Sequence, residues 1–210
     1  FNFSVPWGIE ADVIRHGILG TSWGLEVRYF GVNDFSSGTP STLFPSAAFV
    51  PYINPIGAFY SPTLITSAYQ SSNLQNVELN ARHQATSRVQ CLVGFRYVQC
   101  DEDLAIDLAS NPFSYYSSHL IEASNHLFGA QIGAEARLWE HGRFRVEGVG
   151  KAGLYGNQMS NNLNVILQDE VNSQYSSSAS QTQAAFIGEL GLTGLYCLTS
   201  NLSFRASYQA

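Results

Sequence analysis

No run of about eighteen apolar residues occurs in this 210-residue chain, so nothing in it reads as a membrane-spanning helix. Charge is scarce as well. Asp, Glu, Lys and Arg make up 12% of the residues, about half the usual share. No basic stripe is present, which argues against nucleic-acid binding. Cysteine is limited to three residues. Cys91 and Cys100 fall on one strand-like run, on opposite faces and beyond disulfide reach, and Cys197 belongs to another hairpin. The odd count predicts at least one free thiol, and the spacings suit no metal site. There is no starting Met and no signal peptide. The chain opens inside a strand-like run, so it reads as a mature or trimmed piece.

What is present is alternation. Asn125–Gly156 holds two long arms, NHLFGAQIGAEARLW and RFRVEGVGKAGLYG, about a turn EHG. One face of the first arm is Phe128, Ala130, Ile132, Ala134, Ala136 and Leu138; the other carries Gln131, Glu135 and Arg137. On the second arm Phe144, Val146, Gly148, Gly150, Ala152 and Leu154 alternate with Arg145, Glu147, Val149 and Lys151. A helical period would mix these sets, so the pair reads as a long β-hairpin. Arms past ten residues are long for a soluble domain and suit tilted membrane strands of about nine to eleven residues.

The same period recurs over 1–13, 23–29, 77–82, 89–97, 186–196 and 202–209. Short turns at 16–21, 85–88, 140–142 and 198–201 alternate with long segments at 34–66, 100–124 and 157–183. The first long segment carries five of the seven prolines, which reads as loop because proline lacks the ladder N–H. The fold class is therefore all-β: an antiparallel, up-and-down transmembrane β-barrel in one domain, with eight strands visible. Outer-membrane barrels have short periplasmic turns and long outer loops. That rhythm starts the first strand outside and ends the eighth outside, which predicts flanking strands and ten or more in the parent chain. Trp23, Trp139, Phe144 and Tyr196 beside the short turns, and Tyr29, Tyr97, Phe128 and Phe186 at the other level, suit two aromatic girdles.

The polar faces carry Glu10, Asp12, Glu26, Glu78, Glu135, Glu147 and Glu189, balanced by Arg28, Arg82, Arg96, Arg137, Arg145, Lys151 and Arg205. These fourteen are the candidate site residues, facing a lumen as a lattice of ion pairs, since unpaired charges there would be costly. The short turns hold Arg15, Arg88, Arg143 and Glu140. The long segments hold Asp34, Asp101, Glu102, Asp103, Asp107, Glu122, Asp169 and Glu170 and no Lys or Arg. The net charge of −6 arises there.

The blocks SWGLEVRYFGVNDF (22–35), NLQNVELNARHQ (73–84), LVGFRYVQCDEDL (92–104), NHLFGAQIGAEARLWEHGRFRVEGVGKAGLYGN (125–157) and AFIGELGLTGLYCLTSNLSFRASYQ (185–209) resemble a family of porin-like outer-membrane β-barrels. The resemblance covers most of the chain outside the long segments, and a final family strand is missing after Gln209. It implies a porin-type barrel of the bacterial outer membrane, in contact with membrane lipid, and no catalytic residues.

Other chemistry fits these residues less well. His126 near Ser124 and Glu122, with His119 and Ser118, could suggest a rim hydrolase. By parity, though, His126 lies with Phe128 on the apolar face, as an interfacial polar residue. Asp101, Glu102, Asp103 and Asp107 are hard-oxygen donors for Ca²⁺ without the spacing of a calcium loop. GVGKAG (148–153) lacks the Lys-Ser/Thr ending of a phosphate loop. No catalytic, cofactor or metal residue is assigned. Two functions remain: passage of small hydrophilic solutes or cations through a charged lumen, or a closed barrel serving as an anchor or a surface-binding platform. A soluble ligand-binding barrel would need an apolar interior, the reverse of these faces.

Overall fold

The computed structural model describes residues 2–3, 7–17, 21–39, 63–110, 115–168, 172–198 and 203–209. Its strands are β1 (Asn2–Phe3), β2 (Trp7–Arg15), β3 (Trp23–Thr39), β4 (Thr63–Gln84), β5 (Val89–Ser110), β6 (Tyr115–His141), β7 (Phe144–Gln168), β8 (Ser173–Cys197) and β9 (Ser203–Gln209). All pair antiparallel in one sheet. β1 and β2 lie end to end along β3, and each later strand adds in sequence order through β9. The result is an all-β, strongly curled half-barrel of eight strands. Among the described residues there is no helix, hence none that could cross a membrane.

The proline-rich stretch 40–62 falls outside the described residues, as do Asp169 and Glu170 and most of the turn at 198–201. All three long segments are corrected by the structure, residues 34–39 and 63–66 of the first belonging to β3 and β4. Residues 101–110 and 115–124 continue β5 and β6, and 157–168 and 173–183 continue β7 and β8, as paired hairpins. The Ser, Asn and Gln content of 157–168 and 173–183 resembles a loop, yet a ladder needs only that each backbone group find its cross-strand partner.

Two boundaries move too. Arg15 pairs with Leu25 inside β2 instead of sitting in a turn. The turn between β6 and β7 is Gly142–Arg143, since His141 pairs with Phe144. Gly142 takes φ +59°, the positive φ that a two-residue hairpin turn of this kind demands of its first central residue. A bulge between Arg137 and Trp139 absorbs the shift. It places both Leu138 and Trp139 on the exposed outer face, with Leu138 over Gly148.

The two faces of the sheet differ sharply. Outward, Ile9, Val13, Leu25, Val27, Val77, Leu79, Val93, Phe95, Ile132, Leu154, Phe186, Leu190 and Phe204 are exposed. Tyr29, Val77, Tyr97 and Phe128 stand in register along one row. Rings meet at both levels: Tyr97 and Phe128 at 4.7 Å between centroids, Phe144 and Tyr196 at 4.6 Å. One register step beyond the tyrosine row, the outer face turns polar across five strands, with Gln75, Gln99, His126, Gln158 and Thr182.

Inward, the buried residues are largely polar: Glu26, Arg28, Asn76, Glu78, Asn80, Arg82, Gln131 and Lys151, with Leu92, Val98 and Tyr155. Lys151 on β7 bonds Glu78 on β4, and Arg96 on β5 bonds Glu189 on β8, each three strands away. On a flat sheet those backbones would stand about 14 Å apart, so these bonds require the sheet to curl with this face concave. Glycines on the concave face make room. A Cβ on Gly133 would lie 2.7 Å from the Gly150 carbonyl oxygen and 2.9 Å from Lys151 Cγ. One on Gly94 would run into the Asn80 amide, and one on Gly129 into Tyr155. Gly133→Val is therefore expected to displace Lys151 and destabilise the fold by about 1–3 kcal/mol of overpacking strain, read as a lowered urea midpoint.

Candidate functional site

The concave face is built around Glu78. Strand alternation aims Glu78, Asn80 and Arg82 of β4 the same way, and the pairing sets Arg96 of β5 opposite Glu78. The Glu78 carboxylate accepts from Lys151 Nζ at 2.9 and 3.2 Å, from Gln131 Nε2 at 2.8 Å, from Asn80 Nδ2 at 3.0 Å and from Asn76 Nδ2 at 3.3 Å. Arg96 Nε stands 3.8 Å away. Arg96 Nη1 pairs with Glu189 at 2.9 Å, and its Nε donates to Asn76 Oδ1 at 2.6 Å. Lys151 also lies 3.6 Å from Glu189.

A second knot adjoins it. Arg82 Nη1 donates to Glu26 at 2.7 Å, and its Nη2 pairs with Glu135. Asn80 Nδ2 donates to both Glu26 and Glu78, and Gln131 Nε2 to both Glu78 and Asn80 Oδ1, so each amide spends its two protons joining the knots. Tyr155 donates to Gln131 Oε1 at 3.4 Å. Arg28 pairs with Glu10 at 2.6 Å, and Asp12 stands beside the Glu26 carboxyl.

The structure thus joins Glu26, Glu78, Arg82, Arg96, Glu135, Lys151 and Glu189 in one network, with Glu10, Asp12 and Arg28 along its edge. It separates Arg137, Arg145 and Glu147, which form a cluster with Glu140 at the short-turn end. Arg137 to Glu140 is 2.9 Å, Arg145 to Glu140 is 3.1 Å and Arg145 to Glu147 is 3.6 Å. Glu140 belongs to β6, not to the turn. Arg205 shares the register of Leu195, and its side chain lies outside those described. Counting charges alone missed Asn76, Asn80, Gln131 and Tyr155. Their signal was the same alternation that marked Glu78 and Lys151.

On the outer face, beyond the tyrosine row, His126 Nδ1 meets Tyr97 Oη at 2.8 Å and its Nε2 meets Ser124 Oγ at 3.2 Å. Ser124 donates to Asp101, which also accepts from Gln99 at 2.6 Å. Serine thus sits between acid and histidine, whereas a nucleophile relay needs histidine in the middle. His119 meets Ser117 instead of Ser118, which points to the other face. Asp101 and Asp103 point outward and Glu102 inward, by strand alternation. Among the described residues no cluster of three or more His, Cys, Asp or Glu residues could hold a metal ion. Cys91, Cys100 and Cys197 are free thiols. The Ser67 hydroxyl, 2.5 Å from Asp107 Oδ2, holds that carboxyl below the usual carboxylate range.

No model of a known protein family matches the chain, and no curated protein matches it.

Proposed function

We propose that the chain is part of a porin-like barrel of the bacterial outer membrane, through whose charged lumen small hydrophilic solutes or ions pass. The observation that carries this reading is the segregation of the two faces. Apart from Arg15 at the turn end of β2, the outer face is free of charge from the short turns up to the tyrosine row, then turns polar within one register step on five strands. On β5 that apolar span is Val89 to Tyr97, the length of a tilted membrane strand. A soluble protein rarely exposes so large a contiguous apolar surface. The rows of rings at both margins suit the two interfaces, and the resemblance of the 125–157 and 185–209 blocks to porin-like barrels is in keeping with this.

Liposome swelling tests the reading. Vesicles carrying the intact protein are expected to swell in an isosmotic solution of a small neutral sugar and not in one of a large dextran. The Glu78 network, which ties strands three apart, favours a second reading in which the lumen is closed and the long hairpins bind at the surface. Folded, inserted protein that leaves vesicles unswollen for every solute, with no ion current, would select that second reading.

A further inference from the structure

The inner charges are layered. The deepest layer is paired ions of both signs: the Glu78 side chain is 1% exposed, that of Lys151 2%, and those of Arg82 and Glu26 3%. Carboxylates stand over them: Glu135 is 34% exposed and Glu10 40%, and Asp12 is exposed. The deep cations are also spoken for. Arg82 lies between Glu26 and Glu135, and both Arg96 and Lys151 lie between Glu78 and Glu189. Around this part of the concave face, six described carboxylates (Glu10, Asp12, Glu26, Glu78, Glu135, Glu189) meet four described cations (Arg28, Arg82, Arg96, Lys151).

An anion approaching from the open side meets carboxylate oxygen first and finds each guanidinium or ammonium already covered. A cation meets unspent negative charge. Low-dielectric walls focus such a field and raise the local counter-ion concentration. The path outward carries the same sign. Beyond the tyrosine row the described acidic and basic residues are Asp101, Glu102, Asp103, Asp107 and Glu122, all acidic. At the short-turn end Arg137, Arg145, Glu140 and Glu147 balance one another, and Arg88 and Arg143 in the turns add positive charge there.

We infer that the lumen selects small cations over anions, and that Asp12 and Glu135, carboxylates on the open side, are specificity-determining residues. This rests on the conducting reading above and names its solute class. The test is the reversal potential of the intact protein in planar bilayers under a KCl gradient, alongside the double variant Asp12→Asn/Glu135→Gln. These positions are chosen because Arg82 keeps Glu26, so no buried cation is stranded.

Openings with a several-fold K⁺ preference that falls toward parity in the variant support the inference. Openings without cation preference overturn it while leaving conduction intact. A preference unmoved by the variant overturns the assignment to these carboxylates. Silence from folded protein, confirmed by its urea midpoint, overturns the conducting reading and the selectivity with it.

Discussion

Replacing Glu78 with alanine is expected to cost about 3–5 kcal/mol of stability, the usual penalty for breaking a buried ion pair by removing one partner. The reason is the number of donors left behind. Lys151, itself buried, loses the carboxylate at 2.9 Å, and three amides lose an acceptor. Glu189, 3.6 Å from Lys151, compensates only in part. Glu78→Gln is expected to cost less, because one carbonyl oxygen still accepts from Gln131 or Asn80. Urea unfolding of the lipid-reconstituted protein reads both. A loss below about 1 kcal/mol in the alanine variant would mean that water replaces the carboxylate freely, and that the concave face is wetter than its burial indicates.

The second large effect is on the outer face. Ile132 is 64% exposed, midway between the rows of rings, in register with Val93 and Ala152. If that face meets lipid, Ile132→Arg costs about 2–4 kcal/mol, and the same charge near the interface costs about 0–1 kcal/mol. Gln99→Arg, one register step beyond the tyrosine row, supplies the comparison. If the face meets water, Ile132→Arg behaves as an ordinary surface substitution, within about 0.5 kcal/mol. Paired urea titrations of the two variants therefore measure a depth profile. Equal, small values at both positions would remove the membrane reading while leaving the fold untouched.

The facing of side chains was legible because alternation has a period of two, and one face is buried. The sets that placed Glu78 with Arg82, and Ile132 with Phe128, on opposite sides needed nothing more. The extent of the strands was not legible. Beyond Cys100 the alternation is interrupted by acidic residues, and beyond Asn157 it fades into Ser, Asn and Gln, while the ladder runs on to Ser110 and Gln168. The bulge at Leu138, which carries Trp139 to the outer face, left no mark in the alternation either.

Partner choice within the charged face was the least legible part. The chain alone presents seven acids and seven bases as a balanced set. The pairs that form join β4 to β7 and β5 to β8, across strands whose distance in space is fixed by the curl. That curl draws on Gly94, Gly129 and Gly133, where a side chain would collide with the network itself.

The order of the strands has a consequence for how such a chain can grow over generations. From β4 onward each strand pairs only with its neighbours in sequence, so a hairpin gained or lost at either flank leaves the remaining ladders as they were. A hairpin inserted between β4 and β8 would instead part Glu78 from Lys151 and Arg96 from Glu189. Thr63 to Cys197 is thus tied together as one structural block, and hairpins added outside it would widen the sheet without breaking those pairs.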